Sequence, residues 1–328
     1  MIADHLLACA LVRAGAETGA PVIAAIYLSD FVWTDDAGNT FTNATLPSGF
    51  GAPGANGRAI SSGGPGAVAV ATDNSYSDTY LISSSDLKTW SLGAWIATRS
   101  EKDVKQIAHL KDGSLVYGLA WSKSTPSGYI FPREVVKAPG DGSGAGFYIY
   151  PPAGDDPDNR AWIYGYGDGY VVVGAGSYLW LYDGTTWTEM TPPTSGWPHI
   201  SGAGAEHQSY QIAEDPGSGR LSFRGLYSDD GGSTWAEAYD PAVDVPNIYG
   251  TAFADGTWIR LDADDAIEIS SDAITWTNAG AATESNADRI EPIGGSFYWA
   301  SERVPVSGAG DLWANAVYLG DYYQDFAG

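Results

Sequence analysis

Residues 228–235 read Ser-Asp-Asp-Gly-Gly-Ser-Thr-Trp, which places a hydroxyl, an aspartate, a glycine and a closing tryptophan in a fixed order. The same order occurs at 34–41, which read Thr-Asp-Asp-Ala-Gly-Asn-Thr-Phe. Copies one residue shorter lie at 84–90 and 270–276, and a remnant, Asp-Gly-Thr-Thr-Trp, lies at 183–187. A short pattern that recurs along a chain indicates a fold built from repeated units.

The residue types in this pattern are those of a tight turn that leads into a strand. The aspartate carboxylate can accept hydrogen bonds from backbone N–H groups of the turn, and glycine permits backbone angles that other residues resist. The closing aromatic residue fills space between sheets and buries about 150–250 Å². We therefore expect structural roles for Asp36, Gly38, Phe41, Asp86, Trp90, Trp187, Asp230, Gly231, Trp235, Asp272 and Trp276.

The spacing of the closing aromatic residues indicates the length of one repeat. They lie at positions 41, 90, 187, 235 and 276, so the gaps between them are 49, 97, 48 and 41 residues. The gap of 97 residues is about two repeats, which predicts one repeat at 104–150 that has lost the pattern. Residues 139–142, Pro-Gly-Asp-Gly, stand where its copy would lie.

A second series of turns alternates with the first. These dipeptides are of the hairpin type, and most are followed at once by a run of valine and aromatic residues, as buried strands prefer. They lie at 18–19, 65–66, 112–113, 168–169, 218–219, 255–256 and 294–295. The seven turns predict seven four-stranded units.

The pattern resembles the Asp-box, or BNR repeat, of sialidases and related β-propellers, and the resemblance covers most of the chain. It implies an all-β propeller that forms one domain over residues 1–328. We expect seven four-stranded blades near 5–46, 58–95, 104–150, 160–192, 206–240, 247–280 and 288–323. A six-bladed ring is the alternative, in which residues 1–25 form an arm and the strand near Phe41 completes the last blade.

The innermost strands of a propeller line a central channel, and here their predicted starts carry much of the scarce positive charge. The candidate ligand-binding residues in this channel are Arg58, Lys105, Arg160, His207 and Arg289. Arginine can hold a carboxylate or sulfate with its planar fork of donors. The resemblance implies the same use, because sialidase-like enzymes bind their substrate with three arginines. Ion pairs that join the blades are the alternative role.

Catalysis is less well supported. The Arg-Ile-Pro signature of sialidases is absent near the N-terminus, and no Tyr–Glu pair can be assigned. Glu206, next to His207, is the best candidate for a general acid, but a glycosidase pair of carboxylates is recognised only by its distance in space. We therefore assign no catalytic residue and favour a protein that is not an enzyme.

Composition excludes several classes of function. The 328 residues include 40 acidic and 16 basic side chains, and the formal net charge of −24 opposes binding to nucleic acid or anionic lipid. No apolar stretch reaches the ~20 residues of a membrane span, and no signal peptide is recognised. The single cysteine excludes an intrachain disulfide.

Cofactor binding is not expected, since the four histidines are scattered without ligand spacing and predict no metal site. Calcium at the oxygen-rich loops 155–159 and 262–265 is the one exception that the sequence suggests.

Three functions stay open. The favoured one is a non-enzymatic binding or structural module, such as a phage tail or capsid appendage, located in the virion or the cytoplasm. Its partners would be other virion proteins or surface glycans. The alternatives are a sialidase-like glycoside hydrolase and an intracellular assembly factor.

Overall fold

The protein is built from β-strands. The computed structural model describes residues 22–27, 30–36, 40–51, 60–63, 66–73, 78–98, 103–120, 123–125, 128–130, 133–152, 161–175, 178–193, 197, 210–239, 248–262, 266–281, 290–293, 296–299, 302–305, 317–318 and 325–327. Within these ranges there is no helix, and thus none with the length and apolar character needed to cross a membrane.

Most of the strands form antiparallel sheets of four or five strands in chain order, which we call sheets A to G. Sheet A contains β1 (Ile23–Tyr27), β2 (Asp30–Thr34), β3 (Thr42–Asn43) and β31 (Asp325–Ala327). Sheet B contains β4 (Phe50–Gly51), β5 (Ile60–Gly63), β6 (Gly66–Asp73), β7 (Asp78–Ser84) and β8 (Ser91–Thr98). Sheet C contains β9 (Asp103–His109), β10 (Leu115–Ala120), β13 (Arg133–Ala138) and β14 (Phe147–Ile149). A separate hairpin, β11 (Lys123–Thr125) and β12 (Gly128–Ile130), lies between β10 and β13 in the chain.

The second half of the chain repeats this organisation. Sheet D contains β15 (Trp162–Gly167), β16 (Tyr170–Ala175), β17 (Tyr178–Tyr182) and β18 (Trp187–Glu189). Sheet E contains β19 (Tyr210–Asp215), β20 (Arg220–Phe223), β21 (Leu226–Ser228) and β22 (Ala236–Glu237). Sheet F contains β23 (Ile248–Ala254), β24 (Thr257–Asp262), β25 (Ala266–Ser270) and β26 (Thr277–Ala281). Sheet G contains β27 (Glu291–Ile293), β28 (Ser296–Trp299), β29 (Glu302–Pro305) and β30 (Val317–Tyr318).

The strands at one edge of successive sheets, namely β5 in sheet B and the first strand of each sheet from C to G, are neighbours in space. β5 contacts β9, β9 contacts β15, β15 contacts β19, β19 contacts β23, and β23 contacts β27. The C-terminal strand β31 contacts β5 and occupies the equivalent edge of sheet A. These strands are therefore the inner strands of a radial arrangement, and the strand at the opposite edge of a sheet, such as β8 or β14, is its outer strand.

Sheet B illustrates why the core lies between sheets. Side chains alternate across a strand, so Ala67 and Ala69 pack in the cluster shared with sheet A, while Val68 and Val70 pack in the cluster shared with sheet C. All four are at most 1% exposed. The sequence of β6 from Ala67 to Ala71 is continuously apolar because both faces of the strand are covered, as expected for radially packed sheets.

Sheets D and E are joined by a parallel pairing of their inner strands. Gly165 is in register with Tyr210, and Tyr166 with Gln211, so the two sheets form one eight-stranded sheet. The backbones approach closely here: a Cβ atom at residue 165 would lie 2.6 Å from Cε2 of Phe223 and 2.9 Å from the carbonyl oxygen of Tyr210. A glycine is required for this contact.

The all-β propeller predicted from the sequence is confirmed. Sheet A differs from the predicted unit at 5–46, because its fourth strand is β31, which pairs antiparallel with β1 through Ala24 and Ala327. This pairing covers a sheet edge that would otherwise be open. The blade number and the other blade boundaries stay predictions, and residues 1–21 lie outside the described ranges.

Candidate functional site

The predicted channel residues are not placed by the described part of the structure. Arg58, Arg160, Glu206, His207 and Arg289 all lie outside it. Lys105 belongs to the inner strand β9, but its side chain is not among those described. The arginine clamp and the general acid therefore stay predictions.

The aspartates of the repeated pattern lie in turns between the two outermost strands of their sheets, which we call the aspartate turns. In the turn at 84–90, the Asp86 carboxylate accepts hydrogen bonds from the Ser84 hydroxyl (3.0 Å) and from the backbone N–H groups of Lys88 (2.9 Å) and Thr89 (2.8 Å). The Ser84 hydroxyl oxygen in turn accepts from the Leu87 N–H at 2.8 Å. One carboxylate and one hydroxyl thus satisfy the backbone donors of the turn.

The other copies repeat this geometry. Asp230 accepts from the Thr234 N–H (2.9 Å) and hydroxyl (2.7 Å), and Asp272 accepts from the N–H groups of Ile274 (2.9 Å) and Thr275 (2.8 Å). Asp36 and Asp183 accept equivalent bonds from residues two to four positions further on. Gly231 adopts a φ of 71°, which glycine accepts readily, whereas Gly38 lies outside the described residues.

The closing aromatic residues are buried or partly buried beside their turns. Trp90 is 3% exposed and its ring lies 5.3 Å from that of Phe31 in sheet A. Trp187 stacks on Tyr182 at 4.3 Å, and the indole N–H of Trp276 donates to the Ala273 carbonyl at 3.1 Å. Phe41 is half-buried.

Two aspartate turns also join consecutive sheets through the backbone. Thr45, which follows sheet A, donates its N–H to the Lys88 carbonyl (2.8 Å) and accepts from the Trp90 N–H (2.9 Å). Thr191, which follows sheet D, makes the same pair of bonds with Ser233 (2.9 Å) and Trp235 (3.2 Å). The turn that the aspartate holds is thus a connector between sheets.

Sheet C has no aspartate turn, and residues 139–142 lie at the equivalent place between β13 and β14. The Asp141 carboxylate accepts a backbone bond there, from Ser143 at 3.0 Å. The connecting role is retained, since the Gly142 carbonyl accepts from the Ala94 N–H of β8 at 2.9 Å.

These hydrogen bonds lower the pKa of the turn aspartates. Desolvation raises the pKa of Asp230, but the hydrogen bonds from the Thr234 N–H and hydroxyl and from Ser228 outweigh it. The pKa of Asp86 is lowered in the same way, against desolvation, by Thr89, Lys88 and Ser84. A carboxylate whose folded-state pKa is depressed stabilises the fold above its unfolded pKa, about 3.9, and this contribution is lost as the pH falls through the folded-state pKa.

We expect Asp230→Asn to lower the free energy of unfolding by about 1 kcal/mol at pH 7, because charge-assisted hydrogen bonds become neutral ones. The difference between the two proteins should shrink as the pH falls below about 4, because the Asp230 carboxyl is then protonated in the unfolded chain and, at lower pH, in the folded protein too. Urea unfolding, followed by tryptophan fluorescence at pH 7 and again below pH 4, measures the difference in the free energy of unfolding between the wild type and the variant. An effect of the same size at low pH would contradict the electrostatic role.

Several basic side chains that the sequence analysis did not single out bridge different sheets. Lys111 of sheet C donates to Glu214 of sheet E (2.6 Å) and to the Tyr170 hydroxyl of sheet D (2.6 Å). Lys137 pairs with Asp112 at 2.6 Å and also donates to the Gly184 carbonyl. These cations are structural. Their partners are up to 103 residues away in the chain, so no local motif reveals them.

No described group of three or more His, Cys, Asp or Glu side chains is arranged to hold a metal ion. His109 is 6% exposed; its ring is within hydrogen-bond distance of the Ser61 hydroxyl (3.2 Å) and the Gly140 carbonyl (2.8 Å), which ties sheet B to sheet C. Residues 155–159 and 263–265 lie outside the described ranges, so calcium binding there stays a prediction.

The described surface does carry a distinctive group of apolar side chains, which we call the aromatic rim. It consists of Leu92 (49% exposed), Trp95 (49%), Phe147 (64%), Tyr148 (46%) and Tyr150 (47%). Leu92 and Trp95 belong to β8, and the other three lie on or directly after β14, so the rim follows the outer strands of two consecutive sheets. Aromatic side chains are enriched at protein interfaces relative to the rest of the protein surface.

No family model matches the chain, and no curated protein matches its sequence. Among solved structures it is similar to YCF48 bound to D1 peptide, with 15% identity, a TM-score of 0.52 and coverage of 90% of each chain. It is also similar to a protein from Lactobacillus plantarum, with 9% identity, a TM-score of 0.51 and coverage of 94% of this chain and 99% of that one.

A third similar structure is a puromycin hydrolase S511A mutant complexed with PGG, with 12% identity and a TM-score of 0.53. The match covers 97% of this chain but 54% of the hydrolase, so it concerns about half of that protein. Identities this low show the fold alone. Together with the radial order of the sheets, they show that the chain has a β-propeller fold.

Proposed function

We propose that the protein is a non-enzymatic module that binds a segment of another protein at the aromatic rim. The observation that carries this proposal is the exposure of Trp95, Phe147, Tyr148 and Tyr150 on outer strands that are otherwise anchored in a packed core. Tryptophan and tyrosine are enriched among the residues that dominate protein–protein binding energies.

The position of the rim suits a peptide ligand. β8 is eight residues long and is the outer strand of its sheet, so part of its backbone is available to pair with an added strand. The hydrogen bond from the Ala94 N–H to the Gly142 carbonyl joins β8 to the segment that leads into β14. A ligand would therefore meet two outer strands that are held relative to each other before binding, which lowers the cost of ordering the site.

The fold comparison supports the same class of ligand, because one of the similar structures, YCF48, contains a bound peptide. We propose further that the aspartate turns are Asp-box repeats, since the carboxylates of Asp36, Asp86, Asp230 and Asp272 accept the same local set of bonds. The setting that we propose is a phage virion appendage, in which the partner is another virion protein. A surface glycan is the alternative ligand.

A displayed library of random peptides, selected against the purified protein, tests the proposal. We expect the selected peptides to bind the triple variant Phe147→Ser, Tyr148→Ser, Tyr150→Ser at least about 10-fold more weakly, as loss of central aromatic contacts usually costs more than 1 kcal/mol. Tyr178→Ser is the matched control, because Tyr178 is 42% exposed but lies on sheet D.

Equal binding by the triple variant and the wild type would reject the rim as the site. A glycan array and a panel of fluorogenic glycosides complete the experiment. Binding to glycans with no selected peptide would favour the glycan ligand, and turnover of a glycoside would favour the hydrolase.

A further inference from the structure

A row of three aromatic side chains crosses sheet B and ends at the rim. The ring of Phe50 on β4 lies 5.1 Å from that of Tyr80 on β7, edge to face, and Tyr80 is in register with Trp95 on β8. Between them, on β6, Ala71 is the register partner of Tyr80. The small side chain of Ala71 leaves room for the rings of Phe50 and Tyr80 to meet across the intervening strand.

The Trp95 ring is held in place while about half of its side chain stays in solvent. Its indole N–H donates to Oδ1 of Asp78 at 3.2 Å, and the Asp78 N–H donates to Oδ1 of Asp73 at 3.2 Å. Trp95 is 49% exposed, and Leu92, three residues earlier on β8, is equally exposed. The ring orientation is therefore set before any ligand arrives.

The side chains of Trp95 and Asp78 together favour binding of a cation. The face of an indole ring is electron-rich and attracts ammonium and guanidinium groups, by about 0.5–2 kcal/mol depending on desolvation. The carboxylate of Asp78 lies beside the ring, with Oδ1 at 3.2 Å from the indole nitrogen. No described Lys, Arg or His forms a salt bridge with Asp78.

Elsewhere in the described structure, the same combination already holds the protein's own cations. The Lys88 Nζ atom lies 3.9 Å from the centroid of the Trp33 ring and 3.0 Å from Oδ2 of Asp35. The Lys111 Nζ atom lies 4.1 Å from the centroid of the Tyr170 ring and 2.6 Å from Oε2 of Glu214. Trp95 and Asp78 offer an aromatic ring and a carboxylate at a position exposed to solvent.

We propose that Trp95 and Asp78 form the binding site for an arginine or lysine side chain of the partner segment. This inference rests on the proposed function, because it names the chemistry of the peptide that the rim would bind. Charge complementarity supports this occupant: with a net charge of −24, the protein attracts basic segments over a long range and disfavours acidic ones.

The experiment uses a fluorescently labelled peptide, Gly-Arg-Gly-Arg-Gly with blocked ends, and the same peptide with citrulline in place of arginine. Fluorescence anisotropy measures binding to the full-length chain. We expect the arginine peptide to bind Trp95→Leu and Asp78→Asn about 5- to 30-fold more weakly than the wild type, and the wild type to bind the citrulline peptide more weakly by a similar factor.

The matched control is Asp255→Asn, which removes one negative charge from an exposed turn of sheet F. It should bind the arginine peptide like the wild type. A weakening equal to that of Asp78→Asn would show that only net charge matters and would overturn the proposal, as would equal binding of the two peptides by the wild type. Thermal unfolding of each variant verifies that it is folded.

The peptide library separates failure of this inference from failure of the proposed function. If the library yields rim-dependent peptides without basic residues, the protein-binding function stands and the cation site is rejected. If the library yields no peptide whose binding depends on the rim, and binding of the arginine peptide does not depend on Trp95, both proposals are rejected. Displacement of the arginine peptide by maltotriose would instead identify Trp95 as a sugar-stacking residue and would overturn the cation site.

Discussion

Trp235→Ala is expected to lower the free energy of unfolding by about 3–5 kcal/mol, the range found when a buried large aromatic side chain is truncated. Trp235 is 4% exposed, and its ring lies 6.1 Å from that of Phe223. The indole N–H donates to the Gly232 carbonyl at 2.8 Å, and the backbone N–H donates to Thr191 of the previous sheet at 3.2 Å. Truncation would open a cavity beside the turn that joins sheets D and E.

Urea unfolding at pH 7 measures this effect, with Trp235→Phe and Tyr178→Ala as controls. Trp235→Phe keeps most of the buried area but loses the indole hydrogen bond, so its loss should be clearly smaller. Tyr178→Ala removes an aromatic side chain that is 42% exposed and should change stability by less than about 1 kcal/mol. A loss below about 1 kcal/mol for Trp235→Ala would show that the closing tryptophan is not a packing anchor.

Gly165→Val is the second substitution with a large expected effect, about 3 kcal/mol of lost stability or failure to fold. The added Cβ atom alone would lie 2.6 Å from the fully buried Phe223 ring and 2.9 Å from the Tyr210 carbonyl oxygen, which cannot move without disturbing the pairing of β15 with β19. Overpacking of a filled core usually costs about 1–3 kcal/mol, and the clash with backbone places this case at the upper end.

Gly118→Ala is the matched control, because Gly118 also lies in a strand of the core region but has room for a methyl group. Its added Cβ atom would meet only the Ile163 side chain, at 3.5 Å, an ordinary contact distance. We expect this variant to retain nearly full stability. If Gly165→Val were as stable as Gly118→Ala, the close approach of sheets D and E would not contribute to the fold.

Local hydrogen bonding explains why so much of the fold is predictable from the sequence. The partners of Asp86 and Asp230 lie two to four residues away, so the bonds depend on short stretches that can be recognised by inspection. The predicted turns at 168–169 and 255–256 separate pairs of antiparallel strands, because their Asp-Gly pairs adopt the positive φ angles of a two-residue hairpin turn. The copies at 84–90 and 270–276, which are one residue shorter, are completed by Leu87 (φ 64°) and Ala273 (φ 56°), and no residue type in the sequence signals these left-handed conformations.

The candidate site was less predictable. The sequence shows that Trp95 is an aromatic residue within a strand. Its exposure, however, depends on the position of β8 at the outer edge of sheet B and on how the other sheets pack. The channel residues, such as Arg58 and Arg289, were chosen by their place in the repeat alone and lie outside the described residues. Which side chains face a ligand depends on contacts between repeats, which a single repeat does not contain.

The sequence by itself determined the all-β repeat architecture, because alternating strands and aspartate turns depend on interactions within a few residues. Only the tertiary structure decided that β31 completes sheet A, that Lys111 bridges sheets C, D and E, and that Trp95 stays exposed beside Asp78. These features join residues that are distant in the chain, so they arise from how the sheets pack and not from any local pattern.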